Sequence, residues 1–412
     1  MLNRIVLPSL LIAGFLFICC GEPDGSEAND QVGEKLTVKE NNLAYANNSF
    51  GLKLFKQLAS KDPSIDVFIS PLSIAEALAM TYNGANGETK SQMASVLEFN
   101  NMSVEQVNQS AKDLHTFLTG LDSSVDIQIA NSIWYDNRYQ FNKDFISTNQ
   151  DYYNAEIAPL DLQDPTAAQK INDWVDENTN GKIREIVKPP LNPRLVMMLV
   201  NAIYFKGMWS HSFPSERTRD DYFTTQLGVR QKVKMMSQES SLSYYRGESF
   251  QAVDLPYGDG AFSMLILLPN EGTDVNSLIV ELTDSVLVSV VDSMDVKSGE
   301  IYLPRFSIEY EKTLNDALTS LGMKDAFAPG IADLSGIDGK RDLYISDVEH
   351  KTLVEVNEEG TVAVGVTSIG IRVTAFTPDR LVFRVDRPFV FAIRERASNT
   401  ILFIGRITDL SS

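Results

Sequence analysis

The chain has 412 residues, 43% of them hydrophobic and 22% charged, which is the composition of a folded globular protein rather than a disordered one. Its formal net charge of −19 argues against a surface for nucleic acid or anionic membranes, because either would need clustered Lys and Arg. The length suits one large mixed α/β domain.

The N-terminus has the pattern of an export signal. Arg4 supplies a positive charge, residues 5–18 form an apolar run, and Cys19 and Cys20 precede a polar segment. The run is too short to span a bilayer comfortably. It resembles a bacterial lipoprotein signal, in which the cysteine after the cut carries the lipid, and Cys20 is the predicted lipidated residue. A plain secretory signal with two incidental cysteines is the alternative.

This signal also sets the predicted domain limits and location. We expect residues 1–19 to be the signal peptide, residues 20–42 a flexible polar tether and residues 43–412 the folded domain. The expected location is outside the cytoplasm, lipid-anchored to a bacterial membrane, in the periplasm or at the cell surface. Both cysteines lie at the cut, so the mature domain depends on its core and not on a disulfide.

Helical patterns dominate the first half of the chain. Apolar residues recur at helical spacing in residues 49–60. Ser70-Pro71 opens a second helix, with proline in the first turn, where no hydrogen-bond donor is lost. This helix has a nearly uncharged face and should be deeply buried. Further helices are predicted at residues 89–97, 104–119, 166–178 and 312–321.

Strand patterns dominate the last third. Residues 126–135 alternate between apolar and polar, and residues 195–204 are almost continuously apolar, as in a strand buried on both faces. Together the patterns predict an α+β fold with more than one sheet. Further strand candidates are residues 262–268, 300–308, 343–356, 381–385, 389–393 and 401–407.

Residues 358–377 carry conflicting signals. Their Val and Ile residues favour a strand, whereas three glycines at five-residue intervals weaken one. After Glu359 the stretch has no acidic residue, and Arg372 is its only charge. It is predicted either as an ordinary bulged strand or as a segment that forms a strand only part of the time.

The chain lacks the common motifs of catalysis. Its histidines, His115, His211 and His350, form no HExxH motif and no cysteine cluster accompanies them, so neither a metal nor another cofactor is expected. No GxSxG motif occurs, and residues 84–90 lack the spacing of a phosphate loop. A Ser-His-Asp triad needs only to meet in space, so the sequence leaves it open. Nothing points to one, and an enzyme is not expected.

Four polar residues lie in apolar surroundings. They are Ser70, Ser73, Asn201 and His350. A buried polar group without a partner costs about 1–3 kcal/mol, so each should be paired. They either pair with one another as a polar lock under a sheet or are ordinary core residues that are satisfied singly.

From about Asn47 to Thr408 the chain resembles the serpin family. Six blocks carry the resemblance, in the family's order and spacing. They are FISPLSIAEALAMTYNGANGET at 68–89, LVNAIYFKGMWSHSF at 199–213, FSMLILLPNEG at 262–272, IYLPRFSIEYEKTLNDALTSLGMKDAF at 301–327, DVEHKTLVEVNEEGTVAVG at 347–365 and DRPFVFAIRERASNTILFIGRI at 386–407.

The resemblance implies the serpin fold, an α+β fold with three sheets, eight or nine helices and an exposed reactive loop. Ser70, Ser73, Asn201 and His350 match the family's shutter, beneath the point where the main sheet parts. Trp209 matches the breach, where loop insertion begins. The residues that match the hinge of inhibitory members are Glu358, Glu359, Gly360, Thr361, Ala363 and Gly365.

The resemblance also implies a mechanism. A serine protease would attack the loop as a substrate and form an acyl-enzyme, after which the cleaved loop would enter the main sheet as a strand and distort the protease. Serine proteases are therefore the expected partners, and the protein is expected to be a monomer that meets a membrane only through its lipid. The alternative is a serpin-fold binding protein that never inserts its loop.

Two bonds compete as the site of cleavage. Counting fourteen residues beyond Gly360, by the family's spacing, reaches Thr374-Ala375. Arg372-Val373 is the rival, because a trypsin-like protease selects a basic residue. We expect trypsin-like proteases to cut at Arg372 and elastase-like ones at Thr374 or a neighbouring apolar residue. Residues 104–119 contain only Lys112 as a basic side chain besides His115, so no heparin-type activator is expected.

Overall fold

The structure is a computed structural model that describes residues 38–99, 101–193, 195–361 and 380–410. The predicted signal peptide and Cys20 lie outside the described residues, as do the second half of the hinge and both candidate cleavage bonds. These last positions are Ala363, Gly365, Arg372, Val373, Thr374 and Ala375.

Nine α-helices of seven residues or more, and one of four, occur in the described part of the chain. The resemblance implies eight or nine helices, and the nine longer ones agree with that number, while the four-residue helix is additional. They are α1 (Val38–Lys61), α2 (Pro71–Tyr82), α3 (Gly87–Val96), α4 (Val104–Gly120), α5 (Lys143–Tyr153), α6 (Ala167–Asn178), α7 (Val275–Glu281), α8 (Asp284–Asp292), α9 (Asn315–Leu321) and α10 (Ser335–Asp338).

Fifteen strands accompany these helices within the described ranges. They are β1 (Val67–Ile69), β2 (Val125–Asp136), β3 (Glu156–Leu160), β4 (Met197–Met208), β5 (Arg219–Thr224), β6 (Arg230–Arg246), β7 (Phe250–Tyr257), β8 (Phe262–Pro269), β9 (Asp295–Pro304), β10 (Phe306–Thr313), β11 (Glu349–Val356), β12 (Gly360–Thr361), β13 (Leu381–Arg384), β14 (Phe389–Glu395) and β15 (Ile401–Ile407). The α+β prediction is confirmed.

The strands form two hydrogen-bonded sheets. The main sheet has six strands in the order β10-β11-β12-β4-β2-β3. The second has nine, in the order β1-β15-β14-β8-β7-β6-β9-β13, with β5 paired to β6. The resemblance implies three sheets. The difference arises because β6 pairs with β7 near its end and with β9 over most of its length, which joins two strand layers.

Several predicted boundaries differ from the structure, and two are informative. Helix α1 begins at Val38, inside the predicted tether. The sequence did not indicate this start, because the buried face of the helix includes Asn47 and Asn48 and so lacks the apolar spacing that marks a helix. The predicted strand at residues 300–308 is two strands, β9 and β10, in different sheets. Apolar residues lie on both sides of Pro304 and Arg305, which hides the break, although the buried positions change there from odd-numbered to even-numbered residues.

Helix α2 lies at the centre of the molecule, in contact with β4 of the main sheet and β15 of the second sheet. All twelve of its residues are buried, as its sequence predicts. The Ser70 hydroxyl caps the helix by accepting a hydrogen bond from the Ser73 backbone N–H at 3.3 Å, and Pro71 occupies the first turn. This position holds the polar side chains of α2 directly under the main sheet.

Candidate functional site

The candidate site is the place where the chain leaves β11, turns and re-enters the main sheet as β12. Thr361 pairs with Val356 of β11 on one side and with Gly207 of β4 on the other. Gly360 pairs with Met208. Two of the predicted hinge residues therefore already occupy the space between β11 and β4 in the uncleaved chain.

Gly360 is required by this geometry. Its φ of 155° lies in a region that favours glycine, and a Cβ there would lie 2.1 Å from the Gly207 carbonyl oxygen. A side chain at this position would push the chain out of the gap. The glycine thus permits the close approach of the hinge to β4.

The Thr361 side chain is buried against an aromatic pair. Its Oγ1 lies 2.6 Å from the Tyr257 hydroxyl, and only 1% of the residue is exposed. Tyr257 stacks on Trp209, with ring centroids 4.5 Å apart. Trp209 donates from Nε1 to the Asn357 carbonyl at 2.9 Å and from its backbone N–H to the Glu359 carbonyl at 2.8 Å. The tryptophan assigned to the breach therefore holds the turn that precedes β12.

Glu358 fastens the same turn through its side chain. Its Oε1 accepts hydrogen bonds from Thr218 Oγ1 and from Arg305 Nε, the latter at 2.7 Å. Burial by itself would raise the pKa of Glu358, but the bonds from Arg305 and Thr218 outweigh burial and hold that pKa below its ordinary value. The carboxylate is therefore charged at neutral pH. Glu359 is fixed through its backbone, whose N–H donates to Asn357 Oδ1 at 3.0 Å.

The four residues predicted as the shutter lie together beneath the sheet, in two pairs. The Ser70 backbone N–H donates to His350 Nε2 at 3.2 Å, and Ser73 Oγ donates to Asn201 Oδ1. The pairs connect α2 to β11 and to β4, the two strands that flank β12. Burial lowers the pKa of His350 to about 3, so its ring is neutral and accepts the bond from Ser70.

The shutter continues into two residues that sequence reasoning missed. Asn201 Nδ2 donates to Asn131 Oδ1 on β2, and Asn131 Nδ2 donates to Glu76 Oε2 on α2 at 3.0 Å. Burial raises the pKa of Glu76 to about 7, against the lowering effect of the Asn131 bond. A signal was available, since Glu76 is the only charged residue between Ser70 and Asn83.

No group of three or more His, Cys, Asp or Glu side chains in the described ranges is arranged to hold a metal ion. Over the same ranges, no helix has both the length and the apolar character needed to cross a membrane. The groups that the site does show are strand pairs, buried hydrogen bonds and the Glu358 carboxylate held by Thr218 and Arg305.

Comparison with known proteins identifies relatives over almost all of the described chain. The family model described as "Serpin (serine protease inhibitor)" matches residues 45–410. The chain is 36% identical over 378 residues to the leukocyte elastase inhibitor of Equus caballus, which covers 89% of this chain and 99% of the relative. It is 39% identical over 377 residues to Serpin B6 of Macaca fascicularis, with 89% and 99% covered.

Solved structures give the same result. The native state of Tengpin, a thermophilic serpin, matches with a TM-score of 0.82 and 35% identity, and the match covers 92% of this chain and 96% of Tengpin. Human thyroxine-binding globulin, solved with its hormone, matches with a TM-score of 0.84 over 91% of this chain and 100% of the other. At 24% identity, that likeness shows the fold alone.

Proposed function

The chain belongs to the serpin family, and from this premise we propose that it is a suicide-substrate inhibitor of trypsin-like and elastase-like serine proteases. A protease attacks the loop and becomes joined to it as an acyl-enzyme through the serine of the protease. The cleaved loop then lengthens β12 between β11 and β4 and carries the protease with it. The protein itself is not a catalyst.

The position of β12 is the observation that carries this proposal. In the uncleaved chain, Gly360 and Thr361 already separate β11 from β4 at one end of the main sheet. Each further residue of the loop can add ladder hydrogen bonds, which contribute about 0.5–1.5 kcal/mol each, and can bury apolar area worth about 25 cal/mol per Å². Insertion is therefore expected to run downhill once the loop is cut.

The register of β12 sets how much loop the sheet can take up. If an inserted strand kept the register of the pair Thr361–Gly207, residue 371 would come opposite Met197, where β4 begins. A cut after Arg372 or after Thr374 leaves a strand that reaches this point. Thr361 faces the core, so an inserted strand with the same alternation would place Ala363 and Gly365 on that side, and small residues would enter first.

The proposal is tested by incubating the protein with trypsin or elastase and resolving the mixture on denaturing gels. Wild type should form a covalent complex with each protease. T361R should be cleaved without a stable complex, because a charged side chain cannot occupy the buried site beside Tyr257. The matched control is T116R, on the exposed face of α4, which should inhibit like wild type. Turnover of the wild-type loop without any complex contradicts the proposal.

The specificity proposal is tested at the only basic residue of the loop. R372A should lose inhibition of trypsin, since the pocket of trypsin-like enzymes requires a basic side chain, and should keep inhibition of elastase. Mass spectrometry of the released C-terminal peptide identifies the bond cut by each protease. Unchanged trypsin inhibition by R372A would contradict the assignment of Arg372.

We further propose that Cys20 carries a lipid that anchors the protein to a bacterial membrane, outside the cytoplasm. The signal-like sequence before Cys20 supports this proposal. In a bacterial host, wild type should fractionate with membranes and C20A should not, while C19A serves as the matched control and should remain membrane-bound. Equal fractionation of C20A and wild type would contradict the assignment.

A further inference from the structure

One short turn is connected to the residues on both sides of the loop segment 362–379, directly on the N-terminal side and through one carboxylate on the C-terminal side. The turn comprises residues 215–218 and begins as the 3-10 helix Ser215–Arg217. We call residues 357–361 the N-terminal stem of the loop and residues 380–384 the C-terminal stem. Neighbouring side chains of the turn, Arg217 and Thr218, connect to different stems, and this division suggests a coupling role.

The turn meets the N-terminal stem directly. Thr218 Oγ1 donates to the Glu358 carboxylate, which Arg305 also binds. The backbone adds a second connection, because the N–H of Phe213, just before the turn, donates to the Glu358 carbonyl at 2.8 Å. Phe213 also packs edge-on against Trp209. Movement of Glu358 must therefore disturb the turn.

The turn meets the C-terminal stem through one intermediate carboxylate. Arg217 Nη2 donates to Glu239 Oε1 at 3.2 Å and to Glu300 Oε1 at 2.8 Å. Arg380 Nη2 lies 2.6 Å from the second oxygen of Glu239. The bond from Arg380, together with Arg217, lowers the pKa of Glu239, so this carboxylate is charged at neutral pH. Charges of alternating sign thus run from the turn to Arg380.

These ion pairs contribute little to stability as single contacts. The side chains of Arg217, Glu239 and Arg380 are 36%, 39% and 37% exposed, and ion pairs at such positions are strongly screened by water. Their arrangement fixes relative position instead. Arg380 directly precedes β13, which is held to β9 by a parallel ladder from Leu381 to Arg384.

We propose that the Arg217–Thr218 turn is a positioning element that couples the two stems of the loop. While Glu358 is bound, the turn holds Arg217 against Glu239, and Glu239 holds Arg380 and the start of β13. When the N-terminal stem leaves its place, the turn loosens and the C-terminal stem loosens with it. The purpose of this coupling rests on the proposed inhibitory function, but the coupling itself can be measured without a protease.

Amide hydrogen exchange on the intact, full-length protein tests the coupling. T218V removes the bond to Glu358 at a residue that does not belong to β13. It should nevertheless raise exchange in residues 381–384 by about fivefold, a typical coupling between sites. T218S, which keeps the hydroxyl, should exchange like wild type. K188Q is the control, because it breaks the exposed ion pair between Lys188 and Glu311 of β10 in the main sheet. It should leave amide exchange in residues 381–384 unchanged.

A double variant shows whether Arg217 transmits the effect. R217Q alone should raise exchange in residues 381–384, and adding T218V should raise it no further. If T218V changes exchange only near Glu358, or if the two effects add, the stems are independent and the coupling is wrong. Failure of wild type to inhibit any protease would contradict the proposed function and would leave the exchange result intact.

Discussion

Glu76 and His350 place two titratable groups of opposite character beneath the main sheet. Each is buried, and each bonds to a member of the polar set that includes Ser70, Asn131 and Asn201. Burial raises the pKa of Glu76 from 4.5 to about 7 and lowers that of His350 from 6.5 to about 3. Because both shifts come from burial of the charged form, both groups are neutral inside the protein over the mildly acidic range.

The two groups affect stability in opposite directions as pH changes. The contribution of Glu76 is fully present below pH 4.5 and is lost as pH rises through about 7. The contribution of His350 is fully present above pH 6.5 and is lost as pH falls towards 3. Between pH 4.5 and 6.5 the two effects therefore oppose each other, which flattens the dependence of stability on pH.

At the residue scale we predict that E76Q removes the alkaline loss of stability. Relative to E76Q, wild type should lose on the order of 3 kcal/mol of unfolding free energy between pH 4.5 and 8, because only wild type must bury a carboxylate. Urea unfolding at a series of pH values measures this difference. Parallel curves for the two proteins would show that Glu76 does not titrate in this range.

At the scale of elements, β12 is a strand of only two residues and depends on a few contacts. The hydrogen bond between Thr361 Oγ1 and the Tyr257 hydroxyl is buried. Removing one hydroxyl leaves the other buried without a hydrogen-bond partner, which lowers the stability of the protein by about 1–3 kcal/mol. Removing both partners together avoids most of that cost. The same reasoning applies wherever a strand is held by a single buried pair.

We therefore predict a non-additive pattern for the hinge. Y257F and T361V should each increase amide exchange in residues 357–361, because β12 then leaves the sheet more often. The double variant Y257F/T361V should show less exchange than the sum of the single effects predicts. Additive effects would mean that the two hydroxyls do not hold β12 in place.

The elements also show how local signals can mislead. Apolar residues continue from β9 into β10 although the two strands belong to different sheets, and Arg305 between them donates a hydrogen bond to Glu358. The pattern reports which side chains are buried and not which sheet buries them. Similarly, residues 343–348 are apolar enough to extend β11, yet the strand begins at Glu349.

At the scale of the whole molecule, the proposed mechanism requires an uncleaved state of limited stability. Lengthening β12 from residue 362 to residue 371 would complete the main sheet along β4. The added hydrogen bonds and burial would stabilise the cleaved form as one unit, since the inserted strand joins the two halves of the sheet.

We predict that cleavage of the loop raises the melting temperature by tens of degrees. About ten added residues, each contributing roughly 1 kcal/mol through strand pairing, would account for a shift on that order. Thermal unfolding before and after nicking measures it, and nicked T361R, which should not insert, is the control. An unchanged melting temperature for nicked wild type would favour the serpin-fold binding protein.

The sequence by itself determined the family, the α+β class, the buried helix α2 and the polar residues that lie in apolar segments. These features are local, because periodicity and composition depend on neighbours along the chain. Only the tertiary structure decided which polar groups meet. Ser70 and His350 are 280 positions apart, and Thr218 and Glu358 are 140 apart, so packing alone brings them together. Packing likewise decided that Thr361 already lies within the main sheet, since its burial depends on β4, β11 and Tyr257 together.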